Sequence, residues 1–329
     1  MKLMARVLLL DIDSTVPNLA LMKLSTWHKA QGDEVRLRRM GKPDIVYASC
    51  VFTWGQKLLS QVREIYPGVT EGGPGVALAS RLPGPVDDMP PDYSLYPWSR
   101  LKTLGFHKPF ALGYLTKGCP RRCEFCVAWR LEPEHHQVST VDRLLRRDTE
   151  FLILLDDNFL ANEGLALELL AEMQEEKVQV CFAQGLDIRH VTEALSESLA
   201  RTAFWNLHHT RRQLTIAFDS PQIVGAWTKG VKRLLEAGIK AWQIQSFFLV
   251  GFDTAFEQDV ERLNIMRDHG VDPFCMVYKG REKETRRADD PRLHHFSRWV
   301  NRRLYRSCDF EQYTRWAREN QQLPLPMEV

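Results

Sequence analysis

Short apolar runs alternate with segments of helical periodicity along most of the chain. In the first hundred residues, an apolar run that favours a strand lies at 6–10, and further strand candidates lie at 34–37 and 44–50. Segments in which apolar residues recur at helical spacing lie between them, at 18–31 and 56–65. Strands that alternate with helices are typical of parallel, doubly wound sheets, so this part of the chain is predicted to be an α/β unit.

A second series of the same kind starts at Phe110. Its predicted strands lie near 111–116, 151–155, 178–182, 213–218, 243–250 and 273–278. Its predicted helices lie near 140–147, 163–175, 191–201, 221–237 and 255–268. Six strands with intervening helices fit a partial or full parallel barrel, in which active sites lie at the carboxyl ends of the strands.

A proline-rich stretch at 81–109 separates the two series, and the composition changes again after Gly280. The sequence therefore predicts three parts: an α/β domain at 1–100, a barrel at 101–280 and a C-terminal helical extension at 281–329. A basic run, Arg292–Arg306, favours a helix with one apolar face. Its cationic side is interpreted as a solvated face, with nucleic-acid phosphates or an acidic partner as the alternative.

Composition and charge exclude little. The 329 residues carry a formal net charge of only +2, which indicates no particular partner. The apolar run Val7–Leu10 stops at Asp11, whereas a membrane-spanning helix needs about 20 apolar residues. Because no signal-peptide pattern is visible either, a cytoplasmic protein is expected.

Three of the seven cysteines, Cys119, Cys123 and Cys126, fall within eight residues, directly after the first predicted barrel strand. Thiolates suit iron–sulfur clusters and zinc. Three ligands from one loop can leave one metal position open, whereas electron-transfer clusters use four cysteines. A zinc site completed by His135 or His136, and a trio of structural thiols, stay open as alternatives.

The spacing C-x-x-x-C-x-x-C, with Phe125 just before the last cysteine, is similar to the signature loop of radical S-adenosylmethionine (SAM) enzymes. The resemblance implies a [4Fe-4S] cluster whose open iron binds the methionine part of SAM. One electron, from a reductant such as flavodoxin or ferredoxin, would cleave SAM to methionine and a 5′-deoxyadenosyl radical. In this family the residue matching Phe125 packs near the adenine.

The same resemblance assigns further SAM contacts to strand ends. After the second strand, where the family usually has Gly-Gly-Glu, this chain has Asp156, Asp157 and Asn158, expected at the SAM amino group. Gln184 and Asp187, after the third strand, could reach the ribose or the substrate, and Gly251 would let the backbone approach the adenine. Helix capping is the alternative for Asp157, Asn158 and Asp187, and a strand-to-helix turn for Gly251.

The first domain resembles the Rossmann-like cobalamin-binding domain that precedes many radical SAM barrels. Ser49, Gly72 and Gly73 match positions that contact the nucleotide tail of cobalamin in that domain. The chain lacks the axial-histidine motif D-x-H-x-x-G, and His28 is interpreted as a surface or packing residue. Cobalamin and cobalamin-assisted methyl transfer therefore stay open, beside a domain that keeps the fold without the ligand.

Two other functions compete with this interpretation. Methylthiotransferases have a similar layout, but they carry three further cluster cysteines in the first domain, where this chain has only Cys50. A zinc-stabilised nucleic-acid-binding module, with the basic helix as its binding surface, is the non-enzymatic alternative. Nothing in the sequence marks the substrate.

Overall fold

The computed structural model describes residues 4–279 and 290–319. Two compact units make up this part of the chain, the first ending at Leu104 and the second beginning at Gly105. None of the described helices is long and apolar enough to cross a membrane.

The first unit is built on a four-stranded parallel sheet with the order β2-β1-β3-β4. Its strands are β1 (Arg6–Asp11), β2 (Glu34–Leu37), β3 (Ile45–Ser49) and β4 (Thr70–Gly72). The side chains of Val7, Leu8 and Leu9 in β1 are fully buried. Such a continuous apolar run is expected of an inner strand covered on both faces, so the doubly wound, Rossmann-like arrangement is confirmed.

The helices of the first unit are α1 (Leu19–Ala30), α2 (Gln56–Ile65), α3 (Gly84–Asp87) and α4 (Trp98–Thr103). Asn18 caps α1 by accepting a hydrogen bond from the Leu21 backbone nitrogen. The chain between α3 and α4 folds back along α1, where Asp92 accepts hydrogen bonds from Ser25 and Lys29 at 2.6 and 2.7 Å. Much of the proline-rich stretch therefore packs as part of the first unit.

The second unit contains two parallel sheets and a short hairpin, with the orders β10-β9-β8-β5, β11-β12-β13 and β6-β7. The strands are β5 (Ala111–Gly113), β6 (Thr116–Lys117), β7 (His136–Gln137), β8 (Phe151–Leu154), β9 (Gln179–Phe182), β10 (Ala203–Phe204), β11 (Leu214–Ala217), β12 (Ile244–Val250) and β13 (Asp272–Val277). A parallel bridge between Leu186 and Ile216 connects the two parallel sheets. The six predicted strands correspond to β5, β8, β9, β11, β12 and β13, an arrangement consistent with a partial barrel.

Helices follow the strands of the second unit, and five of them correspond to the helices that the periodicity predicts. They are α5 (Ala128–Leu131), α6 (Val141–Leu144), α7 (Glu163–Glu175), α8 (Glu193–Arg201), α9 (Val224–Glu236), α10 (Phe256–Asp268), α11 (Pro291–Asn301) and α12 (Phe310–Glu319). In β12, residues with even numbers are buried: Trp227 of α9 donates to Ser246, and Phe248 packs against Phe296 of α11. The predicted α/β class with parallel sheets is confirmed.

The basic run near the C-terminus forms two elements instead of one continuous helix. Helix α11 ends at Asn301, Arg303 adopts a left-handed φ of 58°, and a 3₁₀ turn covers Leu304–Arg306. The helix packs on β13, where the Asn301 side chain accepts from the Cys275 backbone nitrogen at 2.8 Å. The predicted extension also includes 281–289 and 320–329, which lie outside the described residues.

Candidate functional site

The three clustered cysteines lie on the loop between β6 and α5. Gly118 opens this loop with a φ of +88°, and a Cβ at this position would collide with the backbone oxygen of Glu134. The next residue, Cys119, donates its backbone N–H to the Glu132 oxygen at 3.1 Å. Glycine is therefore required here both by the backbone conformation and by the close approach of the returning chain.

The thiols share one partly buried environment. The Cys126 backbone nitrogen donates to the Cys123 oxygen at 3.1 Å, and Ala128 donates its backbone N–H to the Cys126 sulfur at 3.4 Å. Burial, with smaller contributions from the nearby Cys123 and Cys119 sulfurs, raises the pKa of the Cys126 thiol to about 11. The sulfurs are thus close enough for their charges to interact, and a bound cation would relieve this repulsion.

The first two of the three polar residues predicted after β8 hold the cysteine loop. Asp156 accepts hydrogen bonds from the backbone nitrogens of Leu115 and Thr116 and from the Thr116 hydroxyl. Asp157 accepts from the backbone nitrogen of Gly118 at 2.9 Å. Burial raises the pKa of both carboxyl groups, that of Asp156 to about 6. Both side chains therefore fix the base of the loop.

Asn158, the third of these residues, faces the cysteine sulfurs. Its Nδ2 lies 3.4 Å from the Cys119 sulfur, and its side chain is among the buried ones, with 3% of the residue exposed. Its Oδ1 is buried and accepts no hydrogen bond. None of the predicted caps at Asp157 or Asn158 forms, because Asn162 caps the following helix.

Asp187 is the centre of a charged group beside the cysteine loop. It forms a two-point ion pair with Arg189, at 2.7 and 2.9 Å, and lies 3.3 Å from Nε of Arg121 in the loop. Burial opposes its ionisation, but the hydrogen bond and charge of Arg189 lower its pKa below the usual value. The Arg189 guanidinium also interacts with the Cys123 sulfur. Asp187 also caps the 3₁₀ turn that follows, so the capping alternative holds together with its place near the loop.

The remaining predicted residues lie in the cysteine loop (Phe125) and after β9 and β12 (Gln184 and Gly251). Gln184 and Asp156 line one small recess at the ends of β8 and β9. Phe125 makes an edge-to-face contact with Phe252, with ring centroids 5.8 Å apart. Phe252 directly follows Gly251, which is buried at the end of β12 with a φ of +80°. The second unit thus brings the predicted residues of β8, β9 and β12 to the cysteine loop.

Ser49, Gly72 and Gly73 lie together at the carboxyl edge of the first sheet, where Ser49 and Gly72 are register partners. The buried Ser49 hydroxyl accepts from Asn18 Nδ2 at 2.9 Å. A Cβ at Gly73 would collide with the backbone oxygen of Cys50, and the Gly73 nitrogen donates to Ser80. These small residues make room for neighbouring segments of the same chain: Ser49 bonds to Asn18, and Gly73 packs against the Cys50 backbone.

Two carboxylates and a tyrosine complete this edge. Asp13 accepts from the backbone nitrogens of Val51 and Phe52 at 2.7 and 2.9 Å. The buried Tyr96 hydroxyl donates to Asp11 at 2.8 Å and accepts from the Asn18 nitrogen at 3.1 Å. The edge therefore lacks the open polar cradle that a cobalamin tail requires, and the residues do not fit that cofactor. His28 is buried between Asp33 and Tyr47, as the packing interpretation expects.

Within residues 4–279 and 290–319, no group of three or more His, Cys, Asp or Glu side chains is arranged to hold a single metal ion. His136 Nδ1 lies 3.0 Å from the Glu134 oxygen, and burial lowers the pKa of His135. A cubane cluster instead spreads its ligands over separate iron atoms, and three thiols on one loop beside an amide donor fit it.

The prediction from sequence missed residues that support the site. Thr116 and Gly118 position the loop, Arg189 brings positive charge to the Cys123 thiol, and Arg121 pairs with Asp187. Gly118, directly before Cys119, was the visible signal for a close backbone approach. The arginines carry no sequence signal, since their partner Asp187 is identified only by the fold.

The chain is similar to two known proteins. An anaerobic magnesium-protoporphyrin IX monomethyl ester cyclase from Rubrivivax gelatinosus is 20% identical over 234 residues, which make up 68% of this chain and 38% of that protein. An uncharacterized methyltransferase from Pyrococcus horikoshii is 23% identical over 201 residues, 54% of this chain and 40% of that protein.

No family model matches the chain. The chain spans only 38% and 40% of the length of these relatives. Both relatives are described as enzymes, so the distant similarity supports an enzymatic role.

Proposed function

We propose that this chain is a radical SAM enzyme in which Cys119, Cys123 and Cys126 bind a [4Fe-4S] cluster. The observation that carries the proposal is the attachment of the cysteine loop to the segment after β8. Gly118 donates to Asp157, and the Asn158 amide donates to the Cys119 sulfur. Three thiols held against a polar strand end suit a cluster with one iron left for a ligand. The similarity to an enzyme described as anaerobic agrees with this, because exposed clusters are sensitive to oxygen.

When bound, the cluster and SAM supply the one-electron cleavage that yields methionine and a 5′-deoxyadenosyl radical, which abstracts a hydrogen atom from a substrate. The protein contributes orientation and enclosure. Asp156 and Asp157 hold the base of the cysteine loop, and Asn158 offers its unpaired Oδ1 to the amino group of SAM. Asp187 orients Arg189 beside the Cys123 thiol and also pairs with Arg121 of the cysteine loop.

An aromatic wall encloses the other side of the loop. Phe125 contacts Phe252, and Phe252 contacts Tyr278 with ring centroids 4.9 Å apart. These rings limit access of water to the site, and Gly251 allows the backbone to approach the adenine. We assign Gln184, which lines the neighbouring recess, to the ribose or the substrate.

Electrons would come from a low-potential protein donor such as flavodoxin or ferredoxin. We derive no methyl-transfer step through cobalamin, because the edge that holds Ser49, Gly72 and Gly73 does not fit that cofactor. Among residues 4–104, Cys50 is the only cysteine, and its buried sulfur donates to the Phe52 oxygen at 3.2 Å. A methylthiotransferase with a second cluster in this unit is therefore not favoured.

Anaerobic reconstitution tests the proposal. The wild-type chain should be brown and hold about four irons and four sulfides per chain. Cys119→Ala, Cys123→Ala and Cys126→Ala should each lose most of this iron. Cys308→Ala, which removes a partly buried thiol outside the loop, is the matched control and should keep it.

Incubation of the reduced protein with SAM then tests the reaction. 5′-Deoxyadenosine and methionine are expected in equal amounts, and the three loop variants should form neither. Production of S-adenosylhomocysteine would instead indicate methyl transfer. A colourless wild-type protein that holds one zinc ion would contradict the proposal and support the zinc-stabilised module.

A further inference from the structure

Three arginines meet at one buried carboxylate where β13 begins. Asp272, of which 7% is exposed, pairs with Arg303 at 2.6 Å and with Arg211 at 3.1 Å. Arg306 lies 3.6 Å from the other oxygen of the same carboxylate. One carboxylate neutralises only one of these guanidinium groups. The side chains of Arg303 and Arg306 are exposed by 42% and 59%, so the excess positive charge faces solvent.

A fourth arginine joins this group through Tyr305. The guanidinium carbons of Arg267 and Arg306 lie 5.4 and 5.6 Å from the centre of the Tyr305 ring, which is mostly buried. Arg267 is exposed and donates to the neutral amide oxygen of Asn264 at 3.3 Å. Like charges at such separations repel each other, and an anionic partner would relieve this repulsion. The arginine cluster consists of Arg211, Arg267, Arg303 and Arg306.

An exposed tryptophan lies at the same edge of the sheet. Trp242 is 63% exposed and precedes β12 by two residues. Gln245 of β12 is the register partner of Asp272. Its side chain accepts from Gln213 at 2.7 Å, and Gln213 accepts from Arg211 at 2.6 Å. The start of the strand that follows the tryptophan is therefore adjacent to the arginine cluster.

This edge is opposite to the one that holds the cysteine loop. Asp272 is the first residue of β13, whereas Tyr278, which follows the strand, contacts Phe252 on the side of the loop. Six residues of extended chain span roughly 20 Å. The arginine cluster is thus separate from the cysteine site, and a protein that delivered electrons here would be remote from the thiols.

We propose that the arginine cluster and Trp242 bind a single strand of nucleic acid. Guanidinium groups donate paired hydrogen bonds to phosphates, and bases of any sequence stack on an exposed indole. An acidic protein would need the charge but no surface for stacking. Because the chain has a formal net charge of only +2, the attraction comes from this local cluster. Binding here requires neither the iron–sulfur cluster nor SAM, so it goes beyond the proposed function.

Fluorescence anisotropy of a labelled uridine 20-mer, titrated with the reconstituted full chain at several salt concentrations, tests this binding. The association constant should fall as salt rises, because contacts with phosphates release counterions. Arg267→Gln/Arg306→Gln should make the slope of log K against log salt shallower by about 0.7 for each arginine. Both replaced side chains are exposed, and Asp272 keeps its two closer partners, so this variant should fold.

Trp242→Ala separates stacking from charge. It should lower the association constant about tenfold at every salt concentration and leave the slope unchanged, since the indole carries no charge. Arg306→Lys keeps the charge and should keep the slope. Trp54→Ala and Arg36→Gln make similar changes at exposed positions of the first unit and are the controls, which should match the wild type in both quantities.

Two results would overturn the proposed binding. The first is an oligonucleotide that does not bind at micromolar concentration, or that binds the wild type, the double arginine variant and Trp242→Ala with the same affinity and salt slope. The second is polyglutamate that displaces the oligonucleotide at equal charge concentration from the wild type and from Trp242→Ala, which would assign the surface to an acidic protein. Iron content is measured in parallel, because a chain that binds the strand but assembles no cluster contradicts the proposed function alone.

Discussion

Thr116 donates two hydrogen bonds to one carboxylate oxygen of Asp156, from its backbone nitrogen at 2.6 Å and from its hydroxyl at 2.7 Å. Both residues are buried, and 40 positions of sequence separate them. The contact joins the strand that leads into the cysteine loop to the end of β8. The position of the thiols therefore depends on a buried carboxyl group that contacts none of them.

The first prediction concerns the pH dependence of this contact. Burial raises the pKa of Asp156 to about 6, so the folded state holds the proton more tightly than the unfolded state, where the pKa is about 3.9. The contribution of this group to stability is therefore complete below about pH 4 and is lost as the pH rises through 6. The unfolding free energy of the wild type minus that of Asp156→Asn should fall by about 2–3 kcal/mol between pH 4 and pH 7.

Urea denaturation of the metal-free chain at a series of pH values measures this difference. Asp142→Asn, the same replacement at an exposed position of α6, is the control. Identical pH profiles for the two variants would contradict the assignment of a raised pKa to Asp156.

The second prediction concerns the backbone of the cysteine loop. Gly118→Ala places a Cβ against the Glu134 oxygen at a φ of +88°, so the loop must move away from its position beside Asp157. The strain should cost about 1–3 kcal/mol, and the reconstituted chain should lose most of its iron. Iron analysis and thermal unfolding measure the two effects.

Gly225→Ala is the control for this variant. Gly225 lies in α9 with no atom within 4 Å of a Cβ, so alanine should keep the iron and increase stability by up to about 1 kcal/mol. Full iron binding by Gly118→Ala would show that the loop tolerates the displacement and that the left-handed conformation is not needed.

The fold was accessible from the sequence because most of the longer strands are short apolar runs, and segments with helical spacing lie between them. Strand β2 and helix α2 have the predicted bounds, 34–37 and 56–65. The single helix predicted over 292–306 was wrong because the apolar periodicity continues across Arg303, whose left-handed backbone conformation ends the helix. The spacing of apolar residues shows which side chains can share one helix face. It does not reveal that a single residue adopts a φ that ends the helix.

The candidate site was predictable only in part. The cysteine spacing located the loop, but the three adjacent residues after β8 look equivalent in sequence. Their different roles arise because Asp156 and Asp157 meet backbone N–H groups of a distant segment, whereas Asn158 meets a sulfur. Hydrogen bonds between residues about 40 positions apart depend on the packed strands, and no local pattern encodes them.

The third prediction concerns Arg262, which joins the carboxyl ends of two strands from inside the core. It donates to the backbone oxygens of Phe218 and Leu249 at 2.8 and 2.6 Å and pairs with Asp259, and both charged side chains are almost completely buried. Arg262→Met leaves the Asp259 charge without this partner and should lower the unfolding free energy by about 3–5 kcal/mol.

The double variant Arg262→Met/Asp259→Leu removes both charges and should recover much of this loss, since replacing a whole buried ion pair is often nearly neutral. A double-mutant cycle by chemical denaturation measures the coupling. Simple addition of the two single effects would show that the pair does not act as a unit.

The last prediction separates the fold of the first unit from cobalamin binding. Because Ser49 accepts from Asn18, and Gly73 closes against Cys50, the full chain should retain no hydroxocobalamin in equilibrium dialysis at micromolar concentration. Ser49→Ala leaves the buried Asn18 amide without this acceptor, so it should lower stability by about 1–3 kcal/mol with no effect on dialysis.

Ser60→Ala, at an exposed position of α2, is the control and should change neither quantity. Binding of one cobalamin per wild-type chain, weakened by Ser49→Ala, would show that this edge opens to admit the cofactor and that its internal hydrogen bonds are exchanged for contacts with the ligand.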